Sequence, residues 1–260
     1  MAHDFDKTIL DRVAHRPWDM PGGPWLMTQT WHDLLFAHWP VHVSALRPLV
    51  PRAFELDLFT GQAWIGIVPF FMTNVAPRGV PAMSWMSEFP ELNVRTYVRI
   101  GDRPGVYFFS LDAGSRLAVR TARLLLNLPY FPAAMSVRPD RSGIAYESRR
   151  EAAKQTASLR IEYRPAGIPF EPVRESLEYF LTERYCLYNV DRRGRPYRLE
   201  IHHPPWKLQT AEAVVTENTM ADAAGISLPP VAPLLHFVKR QDMVAWAPAA
   251  MARDRLPTLS

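Results

Sequence analysis

The sequence predicts an α+β domain, mainly antiparallel and barrel-like, with a few flanking helices. Three observations predict it. Short apolar or alternating runs follow one another with brief turns between them. Prolines (25) outnumber glycines (12) and recur often enough to break any long helix. The two stretches with helical spacing never alternate strictly with strands, which argues against a doubly wound sheet. At 260 residues and 48% hydrophobic, one domain over 1–260 is expected, with 1–25 as an N-terminal extension and 26–250 as the barrel core.

In chain order, Trp31 to Val43 is aromatic and apolar, interrupted by Pro40, and Leu46 to Pro51 is turn-rich. Gln62 to Met72 is a nearly continuous apolar strand, as expected where both faces are covered. Glu91 to Ile100 and Val106 to Leu111 flank Gly101-Asp102-Arg103-Pro104-Gly105 and read as a hairpin with a loop of about five residues. Leu117, Thr121, Leu124, Leu125 and Leu128 fall at helical spacing, with Ser115 or Asp112 as cap and Pro129 and Pro132 as terminators. Gly143 to Arg149 and Ser158 to Tyr163 form a second hairpin around Lys154. A second helix is expected over Val173 to Arg184, with Leu177, Phe180 and Leu181 on its buried stripe. Tyr197, Leu199 and Ile201 alternate with polar residues, and Trp206 to Val215 and Leu235 to Trp246 supply the last strands.

Composition excludes several function classes. The start, Met1-Ala2-His3-Asp4-Phe5-Asp6-Lys7, is polar and does not read as a secretory signal. The most apolar run, Ala63 to Met72, is about half of a membrane span and contains Gly66 and Pro69. A lone cysteine, Cys186, suits a reducing compartment and reads as a small buried hydrophobe, so a cytoplasmic protein outside the membrane is expected. The net charge of +4 comes from arginines spread along the chain, with lysine only at Lys7, Lys154, Lys207 and Lys239. Without a basic cluster beyond the turn Arg192-Arg193-Gly194-Arg195, no nucleic-acid partner is expected.

Phosphate loops, dinucleotide fingerprints, nucleophile elbows and cysteine pairs are all missing from the sequence. Chemistry concentrates instead in Phe89-Pro90-Glu91-Leu92-Asn93-Val94-Arg95-Thr96-Tyr97-Val98. Alternation puts Glu91, Asn93, Arg95 and Tyr97 on one side, and Leu92, Val94, Thr96 and Val98 on the other. On an exposed sheet face that polar row is an ordinary structural ion-pair row. In the interior it needs partners or a ligand. Phe89-Pro90 fixes the entry to the strand, and Tyr107, Phe108 and Phe109 can supply apolar walls.

Outside the row, His38-Trp39-Pro40-Val41-His42 has the spacing of a helical metal pair, but Pro40 spoils the helix, and the adjacent His202 and His203 face opposite ways on a strand. No metal site is expected. His38 and His203 remain candidates for a binding site, as do Arg184, Tyr185 and Trp206, each a charged or aromatic group at the end of an element. A snorkelling arginine or a packed tryptophan explains any one of them equally well.

The polar row resembles the family catalogued as domain of unknown function 2071, the YqjF-like proteins. So do Gly105-Val106-Tyr107-Phe108-Phe109-Ser110-Leu111-Asp112, Leu128-Pro129-Tyr130, Ser176 to Tyr185 and His203-Pro204-Pro205-Trp206. The resemblance runs from about Trp31 to Trp246. That family is similar to the acetoacetate decarboxylase-like superfamily, which implies an antiparallel β-barrel or cone around a small-molecule pocket. It also implies that Glu91 matches a substrate-binding glutamate and that Arg95 is a candidate for an arginine that holds the substrate acid. Decarboxylases of that kind carry two adjacent lysines after the helix, one forming a Schiff base. The similar stretch here reads Tyr130-Phe131-Pro132-Ala133-Ala134-Met135, and alanine forms no imine.

The expectation is therefore a cofactor-free protein that binds a small carbonyl or carboxylate compound. Arg95 would bind the anion, with Asn93, Tyr97, Arg184, Tyr185, His203, Trp206 and His38 as further binding residues. As an enzyme it would be a lyase, hydratase or isomerase with Glu91 as acid–base. The alternative is a ligand sensor or an oligomeric scaffold of the same fold, with a metal-dependent hydrolase a distant third. The partner is a small molecule, with a homo-oligomer possible.

Overall fold

In the computed structural model, which describes residues 5–83, 87–152 and 155–251, the strands join into one 13-stranded sheet. In chain order these are β1 (Met27–Val41), β2 (Glu55–Leu56), β3 (Ala63–Pro77), β4 (Phe89–Ile100), β5 (Arg103–Ala113), β6 (Tyr130–Pro139) and β7 (Ile144–Ala152). They continue with β8 (Gln155–Phe170), β9 (Cys186–Val190), β10 (Pro196–His202), β11 (Leu208–Asn218), β12 (Leu234–Ala245) and β13 (Ala249–Ala250). The helices described are α1 (Val43–Leu46), α2 (Arg116–Leu126) and α3 (Leu177–Thr182). None is long and apolar enough to cross a membrane.

The sheet closes on itself twice. β12, β1, β3, β4 and β5 form a wall common to two rings. β6, β7, β8 and β11 complete the larger ring, and β9 and β10 complete the smaller one through short pairings to β5 and β12. Each ring has its own core. Leu34, Phe36, Val68, Phe70 and Leu199 pack in the smaller, and Leu35, Ala37, Ile65, Ile67, Leu92, Tyr146 and Phe237 in the larger. A wall buried on both faces is why β1 and β3 read as near-continuous apolar runs rather than alternating ones. It is also why the polar row of β4 is interior: Leu92 and Val94 face one core while Glu91, Asn93 and Arg95 face the other side.

One bulge fixes which residues of β5 face which ring. Val94 pairs with Ser110 but Arg95 pairs with Phe108, so Phe109 is the extra residue. The alternation therefore switches there. Val106, Phe108 and Leu111 face the smaller ring, while Ser110 and Asp112 turn to the other side.

Several expectations need correcting. The β4–β5 turn is tighter than the five residues expected: Ile100 pairs with Arg103, and Gly101 takes the positive φ of 59° that the turn needs. In α2 the buried stripe is Ala118, Val119, Ala122 and Leu126, whereas Leu117 and Leu124 are exposed, because the polar face and the core face exchange when the phase shifts by one or two residues. Ser115, not Asp112, caps that helix by accepting from the Ala118 N–H. The second expected helix shrinks to α3, where the Ser176 hydroxyl accepts from the Tyr179 N–H and marks the true start. Tyr130 to Met135, where no strand was expected, is the start of β6, held between β5 and β7 despite Pro132. Lys154 lies outside the described residues. The segment from Phe5 to Leu26 lies across β10 and β12, with Ile9 buried beside Val244 and Trp246, and Arg16 donating to the Ile201 carbonyl at 2.8 Å.

Candidate functional site

The smaller ring encloses a cavity of about 100 Å³. A dry cavity of roughly 150 Å³ holds a benzene, so this space suits a compound of a few heavy atoms. Its walls are mostly apolar (among them Leu34, Phe36, Phe70, Phe108, Leu128 and Trp206), and Glu91, Asn93, Arg95, Tyr130, Thr182 and Arg184 supply polar groups. Glu91, Asn93 and Arg95 reach it because they share one face of β4. The Glu91 and Arg95 α-carbons lie roughly 13 Å apart along the strand, so the reach of their side chains must close most of that span for one small ligand to touch both.

At one end, the Tyr130 hydroxyl donates to Glu91 Oε2 at 2.9 Å. Burial pushes the Glu91 carboxyl up to about 8, the nearby Asp112 charge adds to the rise, and the Tyr130 bond pulls it partly back. At neutral pH Glu91 is therefore mostly a neutral acid. The Tyr130 hydroxyl is itself held well above its ordinary range by burial and by Glu91. In the middle, Asn93 Oδ1 is buried without a hydrogen-bond partner.

At the other end lies Arg95, only 9% exposed. Its Nη2 donates to the Leu181 carbonyl at 3.1 Å and to the Tyr97 hydroxyl at 3.4 Å, while its Nε has no partner. Its guanidinium lies 5.0 Å from the Phe36 ring centre. Among the described residues no carboxylate pairs with it. The other cavity arginine differs: Arg184 Nη1 is 2.5 Å from Asp57 Oδ2, and its Nε donates to the Phe180 carbonyl at 2.6 Å. Burying a charge without an opposite partner is expensive unless a ligand supplies one. With Glu91 neutral and Arg184 paired, the cavity carries, among the described residues, one uncompensated positive charge.

The other expected residues stand around this frame. Trp206 roofs the cavity, stacked on Trp31 at 5.8 Å and 15°, with its indole N–H donating to the Thr182 carbonyl at 2.8 Å. Tyr97 and His38 do not line it but brace Arg95 from behind. The Tyr97 hydroxyl donates to the Leu181 carbonyl at 2.8 Å, so its 2.6 Å contact with His38 Nε2 places the imidazole proton on that nitrogen. Burial keeps His38 neutral, and its Nδ1 is without a partner. Gly66 makes this packing possible, since a Cβ there would meet His38 Cδ2 and Nε2 at 3.0 Å. Tyr185 and His203 stack on each other at 4.6 Å behind Trp206 and Arg184, away from the lining. Cys186 is buried and on the lining, its thiol pushed up to about 12 by burial.

Reading the sequence missed Tyr130 as a site residue, although Leu128-Pro129-Tyr130 was among its distinctive motifs. It looked instead to Ala133 and Ala134, which do not line the cavity. Among the described residues no lysine lines it either, and the Lys207 and Lys239 side chains are 76% and 77% exposed. No group of three or more His, Cys, Asp or Glu among the described residues could hold a metal ion.

A double-closed, mainly antiparallel sheet around a small polar-footed cavity is the acetoacetate decarboxylase-like fold. Acetoacetate decarboxylase from Legionella pneumophila superposes with a TM-score of 0.59 at 11% identity, covering 97% of this chain and 98% of that one. The enduracididine biosynthesis enzyme MppR, in its complex with pyruvate, superposes with a TM-score of 0.59 at 11% identity, over 91% and 93% of the two chains. The particular family is closer: the chain belongs to DUF2071, described as an uncharacterized conserved protein, whose model matches residues 28–242. Uncharacterized protein YqjF of Bacillus subtilis (strain 168) is 49% identical over 238 residues, which is 92% of this chain and 98% of that protein.

Proposed function

We propose that the cavity binds a small carboxylate that also carries a carbonyl, and that Glu91 moves a proton at the carbon beside that carbonyl. The observation that carries this reading is Arg95, a buried guanidinium without an acid partner, in the same cavity as a carboxyl held near pH 8. The ligand's carboxylate sits on Arg95. The Asn93 amide hydrogen-bonds the middle of the molecule, and the carbonyl end reaches Glu91 and Tyr130. In its ionised form Glu91 takes a proton from the α-carbon, and as the neutral acid it returns one, with Tyr130 steadying the carboxylate through its hydroxyl. A value near 8 keeps both forms accessible at neutral pH. The complex of MppR with pyruvate, on a similar fold, supports a small keto acid as the ligand. With no lysine on the described lining, the proposed chemistry runs through an acid–base pair rather than an imine.

The test is deuterium exchange at the methyl group of pyruvate in D₂O, followed by proton NMR. The wild type should accelerate exchange, with a rate that rises toward pH 8. Glu91→Gln should lose that acceleration while still binding pyruvate. Binding without exchange in the wild type would instead mark a ligand sensor, and no binding at all would refute the reading.

A further inference from the structure

A second polar constellation lies in the larger ring, on the opposite side of the common wall. β5 contributes Ser110 and Asp112, and β7 contributes Ser148 and Arg150, all at most 3% exposed. Arg150 Nε stands 3.1 Å from Asp112 Oδ2, but the N–H is not aimed at it, so the contact is between charges rather than a hydrogen bond. Both Asp112 oxygens, Arg150 Nε and both serine hydroxyls lack hydrogen-bond partners. Five such atoms in one place are far from the usual satisfaction of buried polar groups. Sequence position explains the convergence. The bulge at Phe109 turns Ser110 and Asp112 to this side, and Ala133 on β6, paired with Arg150, is small enough for the guanidinium to cross toward Asp112. The guanidinium also lies over the Phe131 ring, 4.3 Å from its centre. Ser110 and Arg150 line a cavity of about 160 Å³ together with Leu49, Phe109, Ala223 and Ala224, and Asp112 stands directly behind Arg150.

We propose that this cavity is a second binding site, for a small uncharged amide- or urea-type molecule. When Asp112 is ionised it and Arg150 neutralise each other, and the site then offers no net charge to an ion. What it offers is a guanidinium N–H on the lining that needs a carbonyl, with a carboxylate that needs N–H donors 3.1 Å behind it. An amide presents that pair on adjacent atoms, and the Ser110 and Ser148 hydroxyls take the remaining donor and acceptor positions. Neither Arg95 nor Glu91 takes part, so the proposal stands apart from the one above.

Acetamide is the probe, titrated into isotope-labelled protein. Saturable shifts are expected at the backbone amides of Ser110, Ser148 and Arg150. Ser110→Ala, on the lining, should weaken acetamide at least tenfold, and Ser148→Ala, which removes the hydroxyl two residues along β7 from Arg150, should weaken it several-fold. Pyruvate binding in the other cavity, measured on the same samples, should be unchanged in both. Absence of saturable shifts, or shifts that survive both substitutions, would overturn the proposal. So would a crystal soaked in acetamide that holds only ordered water in the cavity beside Ser110 and Arg150.

Discussion

Replacing Glu91 by glutamine should make the protein more stable at alkaline pH and should flatten its pH dependence. In the folded chain the Glu91 carboxyl titrates near 8, against an ordinary value of 4.5, chiefly because it is buried. Between those two values the folded state keeps a proton that the unfolded state has lost, so stability falls as pH rises. Each pH step well inside that window costs about 1.4 kcal/mol. Integrated from pH 5 to pH 8, with half-ionisation at the upper end, the loss from Glu91 is roughly 3.5 kcal/mol. Glutamine keeps an oxygen to accept from Tyr130 and has no charge to bury. Asp112, raised by burial to about 7, contributes a further loss of the same sign that the variant retains. The assay is urea denaturation at pH 5, 6, 7 and 8 for both proteins, read as the difference between them. That difference should move in favour of glutamine by about 3 to 4 kcal/mol across the series. Parallel curves would show that Glu91 titrates normally and would refute the reasoning.

Three further outcomes follow from the same geometry. Arg95→Met should weaken binding of a small carboxylate at least 100-fold, while unfolding free energy holds or rises by up to about 2 kcal/mol, since a buried unpaired charge is removed; calorimetry and denaturation read the two effects separately. Tyr130→Phe should shift the Glu91 titration above 8, because the lost bond favours the charged form, and carbon-13 NMR of labelled glutamate would show it. Gly66→Ala should cost about 1 to 3 kcal/mol, because its Cβ meets His38 at 3.0 Å and the Arg95 Cγ at 3.4 Å, both of them buried side chains.

Much of this was legible in the residues. The alternation of β4, its entry through Phe89-Pro90 and the aromatic run of β5 locate the polar row and its wall. Whether that row faces solvent depends on long-range closure, which local pattern does not encode; only the family resemblance pointed inward. Tyr130 escaped because Pro129 and Pro132 read as helix terminators, whereas β6 tolerates Pro132 by taking its pairings from β5 and β7. Asp112 and Arg150 escaped for a different reason. A bulge at Phe109 resets the alternation, and nothing in the sequence separates buried Arg150 from its neighbour Arg149. Helix α2 shows the same limit, because leucines lie on both of its sides and the core selects the one bearing Val119.

The central claim is that Arg95 waits, unpaired, for an anionic ligand in the smaller ring. Calorimetric titration of pyruvate into the wild type and Arg95→Met tests it most directly. Saturable binding by the wild type that the methionine variant loses would bear the account out. Equal binding by both proteins, or binding by neither, would contradict it.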